Sequence, residues 1–257
     1  MELTLTFSFL QNLSRILVLK SFAIVLFFIT PSASAETAKN HNQLSSFCTK
    51  AKFQSESMSS DRKKGVSIAS GNVELCNESF IIKSDKLTIE RKQMQRIEAS
   101  GSPVVFRQLH QNGTLKATSR TLILDESASI AKLSGSPKLM IPTDSGGESN
   151  IEIEAHLLSM KYKNGSGGVK GVWLDGTGSP VKISIMSDNV KTQLSANKAY
   201  FDFEKKLLTL TDNAFLQDET IELTAGELIF DLNNHRWTAP PSNKQRVTIK
   251  QRFGDSK

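Results

Sequence analysis

The chain holds few of the residues on which metal-bound and disulfide-rich scaffolds depend. Its 257 residues include only two Cys and four His, which excludes a multi-cysteine zinc scaffold and a disulfide-dense small protein. Fifteen Gly and seven Pro are too few for a collagenous or low-complexity chain. The charged fraction of 23% is close to the average of about 25% for globular domains. The composition is therefore that of an ordinary folded chain.

Catalytic signatures are also missing from the sequence. It contains no H-E-x-x-H, no G-x-S-x-G, no phosphate-binding P-loop and no G-x-G-x-x-G motif that opens a helix. The histidines are scattered without metal-site spacing at His41, His110, His156 and His235. Three aspartates, Asp125, Asp202 and Asp231, recur at equivalent positions of a repeat, whereas a catalytic pair is unique, so we interpret them as strand-end and turn residues. We predict no enzymatic activity, no metal and no cofactor.

A net charge of +6 is compatible with an anionic partner. The longest basic run, Arg62-Lys63-Lys64, stops at three residues and has no interleaved aromatic residues. A nucleic-acid interface would need a denser basic patch. We therefore expect no nucleic acid as partner, while another anionic ligand stays an alternative.

The N-terminus has the pattern of a secretory signal peptide. Arg15 and Lys20 precede an apolar run at 21–30, and Ala33-Ser34-Ala35 supplies small residues before Glu36. The run is shorter than the roughly 20 residues of a membrane span. We expect residues 1–35 to be cleaved after Ala35, which places the mature chain in an oxidising compartment outside the cytoplasm; the family resemblance described below implies that this is the periplasm. Retention of this segment as an anchor is the alternative. Cleavage leaves 30 basic and 25 acidic residues, a net charge of +5.

Export changes how the two cysteines are interpreted. In an oxidising compartment a disulfide can persist, and a Cys48–Cys76 bridge would tie a flexible segment, 36–52, to the first strands. Two separate thiols are the alternative that the sequence leaves open.

The rest of the chain, 53–257, repeats two short phrases. The first reads Ser-Gly-Asn-Val at 70–73, Ser-Gly-Ser-Pro at 100–103 and 134–137, Thr-Gly-Ser-Pro at 177–180 and Thr-Asp-Asn-Ala at 211–214. The second interleaves with it, as in Ser84-Asp85-Lys86-Leu87 and Thr224-Ala225-Gly226-Glu227-Leu228. Apolar residues two apart follow each phrase, which is the periodicity of β-strands. Pro103, Pro137 and Pro180 fall where strands are expected to start.

These repeats predict an all-β fold, nearly without helix, in which pairs of short strands stack into one elongated two-sheet domain. Each repeat of roughly 35 residues is too short for a four-stranded propeller blade. The first and last strands of such a stack are open to pairing with another chain.

The alternation also predicts which side chains face the interior. Such an apolar face suits either a closed core or, with the sheets splayed apart, a lipid-binding groove. The candidate groove residues are Val73, Leu75, Leu87, Ile89, Val104, Phe106, Leu122, Leu124, Leu158, Phe201, Phe203, Phe215, Leu228 and Phe230.

In its signal peptide, its repeated strand pairs and these phrases, the sequence resembles the LptA/OstA-like family of periplasmic lipopolysaccharide-transport bridge proteins. The resemblance extends from about Phe53 to Phe253. It implies a twisted, V-shaped β-jellyroll that holds the acyl chains of lipid A. It also implies partners, joined by edge-strand pairing: inner-membrane-anchored and outer-membrane export proteins, and further copies of the same chain arranged head to tail. A membrane-anchored structural component of the same system is the alternative.

Overall fold

A computed structural model describes residues 48, 51–91, 96–110, 113–142, 150–162, 168–187, 190–241 and 246–251. The expected signal peptide and most of the 36–52 segment lie outside this part. Every regular element in it is a β-strand, so the predicted all-β class is confirmed. The strands are β1 Lys52–Gln54, β2 Ser57–Asp61, β3 Val66–Cys76, β4 Phe80–Glu90, β5 Arg96–His110, β6 Gly113–Asp125, β7 Ile130–Ser134, β8 Lys138–Pro142, β9 Asn150–Glu154, β10 Leu157–Tyr162, β11 Val169–Asp175, β12 Val181–Ser187, β13 Val190–Ala196, β14 Lys198–Asp202, β15 Leu207–Gln217, β16 Ile221–Asp231, β17 Arg236–Thr238 and β18 Thr248–Gln251.

All pairings between these strands are antiparallel, and they divide into two ladders of twelve strands each. Sheet A runs in the order β2, β3, β4, β5, β6, β7, β10, β11, β14, β15, β16, β17. Sheet B runs in the order β1, β3, β4, β5, β6, β8, β9, β12, β13, β15, β16, β18.

Six strands belong to both sheets, so they are longer than the short strands the repeats predict. β3, β4, β5, β6, β15 and β16 each cross from one sheet to the other at a bend, where the pairing register shifts or changes partner. The repeated phrases occupy these bends. The two sheets are therefore joined along the row of bends, which we call the corners, and they diverge from it like the two arms of a V.

The corner geometry explains why the phrases contain Gly and Asn. Gly71 has φ +78° and Asn72 has φ +44°, in the left-handed region that Gly and Asn tolerate. At Gly71 a Cβ would also lie 2.3 Å from a carboxylate oxygen of Glu56. Pro137 and Pro180 immediately precede β8 and β12, while Pro103 lies at the bend of β5.

Candidate functional site: the interior and its open side

Apolar side chains from both sheets form one continuous interior cluster. They alternate along each strand, as in Leu122 and Leu124 of β6 or Leu228 and Phe230 of β16, and their exposed fractions are at most 9%. Of the candidate groove residues, those buried in this cluster are Val73, Leu75, Leu87, Ile89, Val104, Phe106, Leu122, Leu124, Leu158, Phe201, Leu228 and Phe230. In this structure side chains fill the interior.

Two aromatic candidates lie elsewhere. The prediction that Phe215 faces inward is wrong, because the alternation that buries Leu208 and Leu210 continues to Ala214 beyond the bend at Asp212 and Asn213. Leu216 is buried in the same way, which leaves Phe215 on the outer face of sheet B. Phe203 lies just beyond β14, partly buried against the edge of the cluster.

Hairpin turns make up the side of the molecule opposite the corners. The turns of sheet A begin at Asp61, Glu90, Asp125, Tyr162, Asp202 and Asp231, and those of sheet B begin at Cys76, His110, Pro142, Ser187 and Gln217. At the corners, the six shared strands connect the sheets covalently, whereas on the opposite side the strand ends of the two sheets form two separate rows. A ligand that enters the interior from the side must therefore pass between these two rows, and we call this the open side.

The repeated aspartates build the turns of the open side, which confirms their interpretation as strand-end residues. Asp202 accepts hydrogen bonds from the backbone N–H groups of Glu204 and Lys205, both at 3.0 Å. Asp61, Asp125 and Asp231 accept equivalent bonds. A hydrogen bond from the Ser127 hydroxyl lowers the pKa of Asp125, and one from the Asn234 amide lowers the pKa of Asp231. These carboxylates are engaged in the structure of the turns.

Exposed cations surround these turns on the sheet A row. Arg62, Lys63 and Lys64 follow Asp61, and Lys205 and Lys206 follow Asp202. In the described part of these turns, Lys64 and Lys205 form ion pairs with the Asp carboxylates, at 4.0 and 3.9 Å. Acidic residues such as Glu126 and Glu204 lie on the same row, so exposed cations mark two of its turns and do not make the whole open side positive.

A ring contact between described residues links the two rows. His110, at the end of β5 in sheet B, packs at a tilt against Phe203 of the sheet A row with ring centroids 4.8 Å apart, and Phe203 in turn packs against Phe201 at 4.6 Å. No sequence pattern indicated this contact, because His110 and Phe203 belong to different repeats. His156 and His235 are exposed, and His41 lies outside the described residues.

Tyr162 lies on the same side, at the end of β10. Its ring packs against the interior cluster, and its buried hydroxyl has no hydrogen-bond partner in the described part of the chain. Burial raises the pKa of this hydroxyl, so it stays a neutral donor. An unpaired buried hydroxyl costs free energy, and a polar ligand atom at the open side could satisfy it.

The hairpin between β6 and β7 contains a half-buried carboxyl, and burial raises the pKa of Glu126 to about 6. Because the folded-state pKa lies above the unfolded value, protonation favours folding, and this stability is lost as pH rises through about 6. We expect Glu126→Gln to stabilise the protein at pH 7.5 by about 1 kcal/mol, after allowing for solvent screening. At pH 4 the same substitution should have little effect. Urea unfolding at both pH values measures this, and an equal effect at both would contradict it.

A disulfide joins the chain before β1 to the end of β3. Cys48 and Cys76 are bonded with their Cα atoms 5.7 Å apart, within the usual range. Cys76 is buried beside Ile81. The bond encloses β1 and β2, the two strands at the N-terminal edge of the sheets.

Both ends of the stack present strands with one neighbour. β1 and β2 pair only with β3, and β17 and β18 pair only with β16 among the described strands. β18 is exposed along its whole length, with Ile249 54% exposed. Unpaired edges of this kind are templates for strand addition.

A metal or membrane-spanning site finds no support in this part of the chain. Among the residues described, no cluster of His, Cys, Asp and Glu has the arrangement to hold a metal ion. The same residues include no helix with the length and apolar character to cross a membrane.

Comparison with known families agrees with this geometry. Residues 52–165 match the family model of the "LptA/(LptD N-terminal domain) LPS transport protein". This match confirms the resemblance to the family over residues 52–165. The matched segment covers β1 to β10, somewhat less than half of the chain, and both sheets of this family domain continue without interruption through β18.

The other comparisons with known proteins add less evidence about the family. A search of the curated proteins finds no match. Among solved structures, the chain is similar to LptH of Pseudomonas aeruginosa, described as the LptA-homologous periplasmic component of the lipopolysaccharide transport device. The identity is 12%, the alignment covers 78% of this chain and 93% of LptH, and the TM-score is 0.23. At that score the similarity supports no further conclusion.

Proposed function

We propose that the chain is a periplasmic lipopolysaccharide-binding protein that carries the acyl chains of lipid A between its two sheets. The family match of residues 52–165 is the observation that carries the proposal. It is supported by the continuous apolar interior, which suits acyl chains. Burial of each methylene contributes about 0.8 kcal/mol.

The open side offers a route and a headgroup site for such a ligand. Separation of the two rows of turns, including the contact between His110 and Phe203, would admit acyl chains without breaking the corners. The exposed cations Arg62, Lys63 and Lys206 could then bind phosphate groups of lipid A through charge-assisted hydrogen bonds. The Tyr162 hydroxyl is placed to donate to a polar group that follows the chains inward.

The edges suggest how the lipid would move onward. A neighbouring protein that adds a strand to β17 and β18, or to β1 and β2, would extend both sheets and the apolar interior with them. We infer that inner-membrane-anchored and outer-membrane export proteins, or further copies of this chain head to tail, join it in this way. The chain would thus act as a bridge without catalytic activity.

Site-specific photo-crosslinking in cells tests the lipid site. We expect a photo-reactive residue at Phe106 or Phe201 to capture lipopolysaccharide, whereas the same residue at Lys132, exposed on the outer face of sheet A, should not. Mass spectrometry of lipid extracted from the purified mature protein gives an independent readout. Absence of lipid at both interior positions would contradict the proposal.

A scaffold with a closed core is the second candidate. It is favoured by the low exposure of the interior residues, for example 0% for Leu122 and Leu133. A protein that is free of lipid when purified, and that also takes up no added lipopolysaccharide, would support the scaffold function instead.

A further inference from the structure

The outer face of sheet A contains a concavity with two aromatic rings in its lining. Its volume is about 380 Å³, towards the lower end of the range of about 300–1,000 Å³ that small-molecule sites commonly occupy. Outward side chains from two neighbouring rows of the sheet line it. In the strand order β10, β11, β14, β15, one row is Ser159, Trp173, Tyr200 and Thr209, and the row nearer the corners is Leu157, Asp175, Lys198 and Thr211.

Trp173 and Tyr200 form an aromatic pair at the centre of the first row. They are direct cross-strand partners, and their ring centroids lie 4.7 Å apart with the ring planes inclined by 34°, a spacing at which aromatic rings attract each other. Trp173 is 43% exposed, and it is the one aromatic residue among the exposed large apolar side chains in the described part of the chain. The pairing with Tyr200 therefore holds an accessible indole ring in place.

The neighbouring Gly171 accounts for the position of Tyr200 but not for that of Trp173. A Cβ at Gly171 would lie 2.6 Å from the Tyr200 hydroxyl oxygen and 2.7 Å from a carbon of its ring, so the tyrosine ring occupies the space above this glycine. Aromatic rings that cover glycines in this way stabilise sheets. Because Tyr200 already covers Gly171, the exposed indole of Trp173 is free for another role.

The polar groups beside the rings suit an uncharged ligand that is rich in hydroxyl groups. Asp175 and Lys198 are direct cross-strand partners of opposite charge, and they are the charged residues of the lining, so its side chains carry no net charge. Thr177 donates two hydrogen bonds to the same carboxylate oxygen of Asp175, Oδ1, so Oδ2 can accept from a ligand. Lys198 Nζ lies 3.8 Å from Asp212, too far for a hydrogen bond, so its ammonium group can donate to a ligand.

A gluco-configured pyranose combines the two features that this surface requires. Its substituents are equatorial, so each face of the ring presents axial C–H groups, which pack on the electron-rich face of an aromatic ring. Its hydroxyl groups project around the rim, where carboxylate, ammonium and hydroxyl groups can bond to them. A lipid chain would instead leave Asp175 and Lys198 without partners, and a phosphate group would be repelled by Asp175.

We propose that this concavity binds a gluco-configured pyranose ring of a saccharide. The sugar ring packs on Trp173, and its hydroxyl groups bond to Asp175, Lys198 and the hydroxyl of Thr209. The site lies on the outer face of sheet A, whereas the acyl chains of the proposed function lie on the inner face. The two sites are therefore independent, and either can be tested without the other.

Saturation-transfer NMR with N,N′,N″-triacetylchitotriose, a chain of gluco-configured pyranoses, tests the site on the purified full mature protein. We expect saturation to reach the ring C–H protons of the sugar. The affinity should fall at least about ten-fold in Trp173→Ala, because the surface on which the sugar packs is lost. The matched control is Trp237→Phe, at a tryptophan that packs against the interior cluster, and it should bind like the parent protein.

A second variant keeps the shape of the surface and removes one polar group. Thr209→Val replaces a hydroxyl by a methyl group, and we expect binding to weaken about three-fold or more because a hydrogen bond to the sugar is lost. Melting temperatures equal to that of the parent protein would show that the variants fold.

Competing ligands distinguish the sources of the sugar. Mannitol carries hydroxyl groups but has no ring, so it should not displace the chitotriose at the same concentration. Displacement by the oligosaccharide that mild acid releases from lipopolysaccharide would identify that oligosaccharide as a source, whereas binding of the chitotriose alone would indicate a cell-wall glycan. Absence of saturation transfer, an affinity that survives Trp173→Ala, or equal displacement by mannitol would overturn the proposal.

Discussion

Reduction of the Cys48–Cys76 bond is expected to lower the free energy of unfolding by about 3–4 kcal/mol, because the bond closes a loop of some 29 residues in the unfolded chain. The same loss should follow from replacing both residues, as Cys48→Ser/Cys76→Ser. The effect should concentrate at the N-terminal edge, since the bond encloses β1 and β2, strands of three and five residues that pair only with β3.

Urea unfolding with and without reductant measures this effect. The parent protein should unfold at lower urea when reduced, whereas Cys48→Ser/Cys76→Ser should unfold at the same urea concentration in both conditions. A parent protein that is indifferent to reductant would contradict the prediction. Hydrogen exchange of the β1 and β2 amides, faster in the variant, would locate the loss at the edge.

Substitution of Gly176 is expected to disrupt the corner between β11 and β12. A Cβ at this position would lie 2.6 Å from the Ser179 carbonyl oxygen, 2.7 Å from the Val181 nitrogen and 3.0 Å from the Asn197 carbonyl oxygen. All three are backbone atoms, so no side chain can move aside. The Gly176 N–H also donates to the Asn197 carbonyl at 2.8 Å, and the shift would strain that bond. We expect Gly176→Ala to destabilise the protein by about 3 kcal/mol or more.

Gly178 is a matched control two residues along the same corner. Nothing lies within 4 Å of a Cβ there, but its φ is +88°, so Gly178→Ala should cost only about 1–2 kcal/mol of backbone strain. Thermal and urea unfolding of both variants give the comparison. A larger loss for Gly178→Ala than for Gly176→Ala would show that backbone conformation, and not close contact, limits this corner.

Much of the fold follows from the sequence because the repeats carry both strand periodicity and corner residues. Leu122 with Leu124, and Leu228 with Phe230, were correctly predicted to face inward from their spacing of two. The phrases around Gly71 and Gly135 marked places where the chain changes direction. These are local signals, set by φ preferences and by alternation within a few residues.

What the sequence did not predict depends on contacts between distant repeats. Because β5 passes through both sheets, its buried positions shift from Ile97 and Ala99 before the bend to Val104 and Phe106 after it. The number of residues in each bend depends on the strands that pair on either side, which the sequence pattern does not show. At the bend of β15, apolarity alone suggested that Phe215 faces inward, although the alternation that buries Leu208 and Leu210 continues to Ala214 and Leu216. The pairing of Trp173 with Tyr200 likewise exists only once the register of β11 and β14 is known.

The twelve-stranded ladders also fix a length. Strands in a sheet are spaced about 4.8 Å apart, so eleven spacings extend each ladder about 53 Å along the direction of stacking. Gain or loss of one strand pair would change that reach by about 10 Å without altering any corner. If the chain acts as the proposed bridge, the number of its repeats, together with the number of copies joined end to end, would determine how wide a gap it spans.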